Sequence, residues 1–183
     1  MYVASGFSRT VTVRLKADVR SDSAVTNFAM WLERSAVGVW TRESPSIWAY
    51  PTVLTLHTVG LGVLVGANAV IDFTLLGFAP RLPLSALAPL YRFMWAGFTI
   101  NAVTGVLLFA SDATTKAKQP VFYIKLTFIL LALVVTAVIR RTVERGPALR
   151  DENLSPRPGR PLAALSLLLW AGAVTAGRLM AYL

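Results

Sequence analysis

The sequence contains no cysteine, one histidine and only nine acidic residues among 183. Without cysteine, the chain can form no disulfide, no thiolate metal site and no thioether-linked haem. Charged residues make up 15% of the sequence, whereas soluble globular domains contain about 25%. This shortage of charge is explained if much of the protein surface faces lipid.

Motifs that carry enzymatic chemistry are also missing. The sequence has no phosphate-binding loop, no nucleophile elbow and no set of residues with metal-ligand spacing. Most of the acids lie in loops or at the ends of apolar runs. We therefore expect a protein that is not an enzyme, with no catalytic residue and no metal site.

The net charge of +9 does not indicate a nucleic-acid-binding protein. No nucleic-acid-binding motif is present, and the basic residues lie at the ends of apolar runs. In such places they would meet lipid headgroups and determine topology. The partners expected from composition are membrane lipids and other membrane proteins.

Four apolar segments are long enough to cross a bilayer, which requires about 20 residues of helix. They cover residues 47–78, 91–110, 121–139 and 162–182. The first is longer than necessary, so we expect it to tilt or to project from the membrane. The sequence thus predicts a four-helix transmembrane domain over residues 44–183.

The first 22 residues have a different pattern. "SRTVTVRLKADVR" alternates apolar and polar residues, as a strand with one apolar face does. No second strand is evident in the sequence, and a lone strand is not stable in water. Two interpretations stay open: a flexible arm whose alternation is accidental, or an extended, strand-like arm that lies on another protein.

Residues 23–43 are predicted to form an amphipathic helix. Apolar residues recur there at helical spacing, and Ser23 is placed to cap its start. The segment is too short and too amphipathic to span, so we expect it in the membrane interface. The predicted fold class is therefore an all-α membrane protein with an extended arm, an interfacial helix and four spans.

The first span carries polar residues on one face and small residues on the other. His57, Asn68 and Asp72 fall within about 60° of one another on a helix. Gly62 and Gly66 form a GxxxG pair on the opposite face. Both faces are expected to contact protein rather than lipid. His57 and Asp72 are about 22 Å apart along the axis, so they do not form one compact site.

Asp72 lies towards the far end of the first span, and Arg92 begins the second. In antiparallel neighbouring helices the two side chains would lie at similar depth. We expect them to form an ion pair, because an unpaired acid within a membrane is costly. The alternative is that Asp72 reaches the headgroup region.

Small residues recur along two other spans. The second span has a row with intervals of four residues, in which Asn101 is expected to hydrogen-bond to a neighbouring helix. The fourth span repeats the pattern with glycine and alanine. The residues predicted to lie at these helix-packing contacts are Gly97, Asn101, Gly105, Gly172 and Gly177.

His57 is the candidate cofactor-binding residue. A histidine in a membrane helix can bond a neighbouring helix, ligate haem iron, bacteriochlorophyll or copper, or transfer a proton. Bis-histidine haem within the chain is excluded because there is no second histidine. Axial ligation by Met94 or Met180 would supply haem with a second protein ligand, whereas a chlorophyll-type pigment needs only one axial ligand. No cofactor follows from the residues alone.

Two stretches resemble a known family: "WLERSAVGVWTRESPSIWAYPTVLTLHTVGLGVLVGANAVIDFTLLGF" and "GVLLFASDATTKAKQPVFYIKLTFILLALVV". Together they resemble uncharacterised four-helix bacterial inner-membrane proteins, which are distantly similar to copper-resistance-D-type membrane proteins. The resemblance covers residues 31–138. It implies a location in the bacterial inner membrane and no settled activity.

The arginine-rich loop over residues 140–160 favours a cytoplasmic position for that loop. Since four spans place both termini on one side, we expect the termini in the periplasm. The function predicted from the sequence is a non-enzymatic subunit of a larger respiratory or photosynthetic membrane complex. The alternatives are a small haem-, pigment- or copper-binding protein using His57, and a transporter with a solute path past Asn68 and Asn101.

Overall fold

A computed structural model of the protein describes residues 23–78, 88–145 and 159–182. Within these ranges 86% of the residues are helical and none is in a strand. The strand-like arm and most of the arginine-rich loop lie outside the described residues. The described part of the chain is therefore all-α, as the sequence predicts.

Seven helices are present in the described ranges. Three precede or form the first span: α1 covers residues 23–33, α2 covers Ala36–Glu43 and α3 covers Tyr50–Leu76. The remaining four are α4 (Ala88–Ala110), α5 (Ala113–Lys116), α6 (Pro120–Arg145) and α7 (Arg160–Leu179).

Four of these helices, α3, α4, α6 and α7, are long and apolar enough to cross a membrane, which confirms the predicted spans. Each of the four has a proline in its first turn, where a missing N–H disrupts no helical hydrogen bond: Pro51, Pro89, Pro120 and Pro161. The first span ends sooner than predicted, because Gly77 adopts a left-handed conformation with φ of 96°. Its N–H and that of Phe78 both donate to the Phe73 carbonyl and close the helix.

The spans form two helix pairs. The most extensive contacts join α3 to α4 and α6 to α7, and the two pairs meet where α3 packs against α7. The start of α6 lies beside the ends of α4 and α7: Phe122 stacks on Phe109, and Lys125 lies against Gly177. We call the end of the bundle that holds the first turns of α3 and α6 the proximal end.

The closest approach between helices is at Gly60 of α3 and Gly97 of α4. A Cβ on Gly97 would lie 2.7 Å from the Leu64 amide nitrogen, and one on Gly60 would lie 2.9 Å from the Asn101 nitrogen. Glycine is therefore required on both helices. Gly97 was identified from the sequence by its row, whereas Gly60 was not.

The core of the bundle combines large apolar residues with alanines. Its largest fully buried apolar side chains are Trp170, Leu64, Ile71, Leu75, Met94 and Ile139. Only 22% of the α6 span is buried. Its outward residues, including Leu130 and Val134, form an apolar surface suited to lipid.

The helix predicted over residues 23–43 is divided into α1 and α2 by a break at Arg34 and Ser35. The Ser35 hydroxyl accepts from the Gly38 N–H at 3.2 Å and so caps α2. Gly38 also lies against the end of α4, where an added Cβ would be 2.8 Å from the Ala110 carbonyl oxygen. The break lets α2 turn onto the proximal end.

Candidate functional site

A buried hydrogen-bond network joins three spans around Asn68. Its Nδ2 donates to Asp72 Oδ2 at 2.6 Å and to Ser166 Oγ of α7 at 2.9 Å. Its Oδ1 accepts from Thr136 Oγ1 of α6 at 2.9 Å. All four residues are at most 3% exposed. The amide of Asn68 thus uses both donors and its acceptor to hold α3, α6 and α7 together.

Asp72 is fully buried, and its second carboxylate oxygen, Oδ1, has no hydrogen-bond partner among the residues that the structure describes. The ion pairs within the described ranges involve Arg42 and not Asp72. An ionised carboxylate without a cationic partner is costly within a membrane protein. The carboxyl group of Asp72 is therefore held by the amide of Asn68 and not by an ion pair.

The predicted pair between Asp72 and Arg92 is wrong. Arg92 lies in the first turns of α4 and is exposed, while Asp72 contacts Asn68 inside the bundle. The reason is rotational: Asp72 is one turn from Asn68 and shares its face, which points towards α6 and α7. The alternative prediction, that Asp72 reaches the headgroup region, is also wrong because the side chain is completely buried.

His57 bonds α3 to α4 near the proximal end. Its Nδ1 lies 3.0 Å from the Asn101 carbonyl oxygen and 3.1 Å from Thr104 Oγ1. In return, Asn101 Nδ2 donates to the His57 carbonyl oxygen at 2.8 Å. A carbonyl oxygen only accepts, so Nδ1 carries the proton in this contact. Nε2 lies 3.4 Å from Asn101 Nδ2, which can donate to its lone pair. This exchange is the interhelical bonding predicted for Asn101, and it is one of the alternatives that the sequence leaves open for His57.

The same geometry defines how His57 could ligate a metal-containing cofactor. Metal-ligating histidines usually donate one ring N–H to a carbonyl or carboxylate and use the other nitrogen as ligand. Here Nε2 would be that ligand. Met94 lies about two turns, or roughly 10 Å, from Asn101 along α4 and does not complete an axial pair there. The described residues contain no cluster of three or more His, Cys, Asp or Glu side chains that could hold a metal ion.

The predicted packing glycines fall into two groups. Three lie against side chains of the adjacent span: Gly105 against His57, Gly172 against the Phe128 ring and Gly177 against Lys125. By contrast, Gly62 and Gly66 would meet no described heavy atom within 4 Å of an added Cβ. The GxxxG face of α3 therefore makes no contact with the described part of the chain.

The residues expected to line a solute path serve instead as helix-to-helix contacts. Asn68 bonds α6 and α7, and Asn101 bonds α3. Their side-chain amides are occupied by these partners. The arrangement supports a structural role for both residues.

The sequence analysis did not predict a contact that fastens α1 to α5. Glu33 Oε2 accepts from the Thr114 hydroxyl at 2.7 Å and from the Thr114 N–H at 3.1 Å, and Arg42 donates to Oε1 at 2.8 Å. The hydroxyl bond from Thr114, its N–H bond and the charge of Arg42 lower the pKa of Glu33. We call these three residues the Glu33 latch. Glu33 and Thr114 are 81 residues apart in the sequence, so no local pattern predicts their contact.

Comparison of the chain with protein-family models, with curated protein sequences and with solved structures found no match. The functional interpretation therefore depends on the geometry described above.

Proposed function

We propose that this chain is a non-enzymatic integral membrane subunit that docks into a larger bacterial membrane complex of respiratory or photosynthetic type. The observation that carries the proposal is the bare glycine face of α3. Gly62 and Gly66 lie within a membrane span, yet neither contacts a described residue. Small residues let the backbones of two helices approach each other closely. Contact with lipid tails does not require such small residues.

The contrast within α3 supports this interpretation. Gly60 lies two residues before Gly62 on the helix and is packed tightly against α4. The helix thus carries two glycine surfaces, one covered by the chain itself and one uncovered. A helix of another subunit would fit the uncovered surface in the way that α4 fits Gly60.

The segment before the first span contributes a second surface. Phe28 and Trp31 stack on each other at 5.9 Å and are 59% and 66% exposed. Aromatic side chains of this kind are favoured at the membrane interface. In the proposal α1 and α2 lie in that interface and are held to the bundle by the Glu33 latch. The strand-like arm, outside the described residues, would extend over a partner subunit.

The proposed location is the inner membrane of a bacterium, with both termini in the periplasm. The location rests on the resemblance to four-helix inner-membrane proteins of copper-resistance-D-type. The orientation rests on the arginine-rich loop, since cytoplasmic loops carry an excess of Lys and Arg. A reporter fused after residue 182 would be active on the periplasmic side if the orientation is correct.

Native mass spectrometry of membranes gently solubilised from the source cell tests the proposal. We expect the chain to be released with other subunits, and we expect Gly62→Leu and Gly66→Leu to release it alone. Ala137→Leu is the matched control, because Ala137 is an exposed small residue on α6. A stable wild-type monomer, or equal effects of all three substitutions, would contradict the docking role.

A second candidate function is favoured by the His57 contact. With Nδ1 donating to the Asn101 carbonyl, Nε2 could serve as the single axial ligand of a haem or bacteriochlorophyll. An absorption spectrum of purified protein decides this. A Soret or bacteriochlorophyll band that disappears in His57→Ala would support it, and a colourless wild-type protein would rule it out.

A further inference from the structure

Two half-buried lysines lie close together at the proximal end of the bundle. Lys116 is the last residue of α5, and its Nζ donates to the Leu108 carbonyl oxygen of α4. Lys125 is in the second turn of α6, and its Nζ would lie 3.6 Å from a Cβ added to Gly177 of α7. The charge of Lys116 acts on Lys125, and both charges act on His57. The two ammonium groups therefore share one region between the ends of these helices.

Neither lysine forms an ion pair in the part of the chain that the structure describes, where the ion pairs involve Arg42. The acid whose charge acts on Lys116 is Asp112, which is not in contact with it. Burial lowers the pKa of Lys116, and the charge of Asp112 offsets this only in part. Two like charges held together in this way repel each other. An anion bound between them would remove that cost.

The two ammonium groups keep free donors for such an anion. An ammonium group has three N–H donors. Lys116 uses one of them on Leu108, and the Lys125 ammonium has no acceptor among the described residues. Lys125 is partly exposed, and its nitrogen is not one of the enclosed polar atoms that lack a partner. Because helical side chains tilt towards the helix N-terminus, Lys125 leans towards the proximal surface, from which an anion can enter.

The depth of the two lysines indicates which anion can occupy the site. Lys116 lies outside the spans, and Lys125 is five residues, or about 8 Å, from the start of α6 at Pro120. Phe122 and Tyr123 are at this level, as aromatic residues commonly are at the membrane interface. Phospholipid phosphates lie in the same layer, and basic pockets between membrane helices bind phospholipid head groups. A phosphate diester has two free oxygens, one for each lysine.

We propose that Lys116 and Lys125 form a binding site for a phosphate group, which a membrane phospholipid supplies at the proximal end of the bundle. This inference does not depend on the docking role of Gly62 and Gly66. Binding is measured on the purified chain, so the result is the same whether or not the chain belongs to a larger complex.

The test uses the full chain in dodecylmaltoside micelles, which contain no phosphate. The ¹⁵Nζ signals of its four lysines are followed by NMR during titration with dihexanoylphosphatidylglycerol. Each signal is assigned by its loss when that lysine is replaced by methionine. We expect the Lys116 and Lys125 signals to shift saturably with one Kd, while the signal of the exposed Lys118 stays in place.

Three variants test the site itself. Lys125→Met should weaken binding about ten- to a hundredfold, as loss of a hydrogen bond between charged groups does. Lys116→Met should weaken it by a similar factor and replaces Lys125→Met if that variant does not fold. Lys118→Met is the matched control, because it removes the same charge from an exposed position, and it should weaken binding less than about threefold. Equal effects of all three substitutions would overturn the site.

Three further ligands identify the bound group and its source. Sodium phosphate should shift the same two signals with lower affinity, because it has no acyl chains to bury. Dihexanoylglycerol lacks the phosphate, and decanoate carries a carboxylate in its place, so both should bind more weakly than the phospholipid. Equal binding of sodium phosphate would overturn the lipid source, and equal binding of dihexanoylglycerol or decanoate would overturn the phosphate group. The absence of a saturable shift at Lys116 and Lys125 would overturn the proposal as a whole.

Discussion

Asn68 donates a hydrogen bond of 2.6 Å to Asp72, one turn further along α3, and both side chains are buried. The same amide reaches Ser166 on α7 and Thr136 on α6. One residue therefore connects three of the four spans. In a membrane, where lipid tails are as apolar as the helix surfaces, such polar contacts help to specify which helices pack together.

Replacing Asn68 with alanine should destabilise the protein, because the substitution leaves Asp72, Ser166 and Thr136 without their shared partner. The expected loss in the free energy of unfolding is about 1–3 kcal/mol. Thr99→Ala is the control, since Thr99 is exposed and bonds only its own helix. Unfolding in mixed micelles with increasing SDS measures both. A similar loss for the two variants would show that the network contributes nothing specific.

Asp72→Asn should leave the protein as stable as the wild type or make it more stable. The asparagine oxygen can still accept from Asn68, and the substitution removes a buried group that could carry a charge without a cationic partner. Arg92→Leu should change the free energy of unfolding by less than about 0.5 kcal/mol, as usual for exposed sites.

The double variant provides the control for this interpretation. If Asp72 and Arg92 are independent, the effects of the two substitutions add within about 0.5 kcal/mol. A coupling energy above that value would show that the two residues interact after all.

The four spans could be predicted from the sequence, but the absence of an ion pair between Asp72 and Arg92 could not. Apolar length alone identifies four membrane helices, and it places Asp72 and Arg92 at similar depth. Depth does not determine rotation about the helix axis, however. Arg92 faces outwards from α4, whereas Asp72 faces α6 and α7, which are far away in sequence.

The spacing of glycines likewise predicted only part of the helix packing. The row through Gly97 and Gly105 predicted a contact surface on α4, and Asn101 bonds across it. The spacing of glycines in the sequence did not identify Gly60, because its partner is on another helix. The spacing also could not distinguish Gly60, which is packed, from Gly62 and Gly66, which are uncovered. The Glu33 latch depends on a tertiary contact and has no local signature.

The tight contact between α3 and α4 and the uncovered glycine face of α3 should respond differently to alanine substitution. Gly97→Ala places a Cβ 2.7 Å from the Leu64 nitrogen, so α3 and α4 must move apart. We expect a loss of about 1–3 kcal/mol in the free energy of unfolding, as for other overpacked sites. Gly66→Ala in the isolated chain should be neutral within about 0.5 kcal/mol, since it meets no described atom.

SDS unfolding of the purified monomer measures both glycine variants. A large loss for Gly66→Ala in the monomer would mean that this glycine packs within the chain, and its proposed role in docking would then lose its basis.

The Glu33 latch should open on acidification. The pKa of Glu33 is lowered in the folded protein by its bonds to Thr114, so folding favours the ionised form. The resulting stabilisation is present above the unfolded-state pKa of about 4.3 and is lost as the pH falls through the lower folded-state value. Hydrogen exchange of the Thr114 amide, corrected for intrinsic rates, should accelerate over that range.

Glu33→Gln is the matched variant, because glutamine keeps the side-chain shape and does not ionise. Its protection of the Thr114 amide should be weaker than in the wild type at neutral pH and nearly independent of pH. If the wild type and the variant have the same pH profile, another group controls the opening of the latch.

The most direct test of the central claim uses the absence of cysteine in this chain. Single cysteines at Gly62 or Gly66, and at Ala137 as the control, would be treated in native membranes with a short cross-linker that carries one thiol-reactive group and one photoreactive group. We predict one defined protein adduct, the same for both α3 positions, and only lipid adducts at Ala137. Lipid adducts at all three positions would contradict a docked subunit.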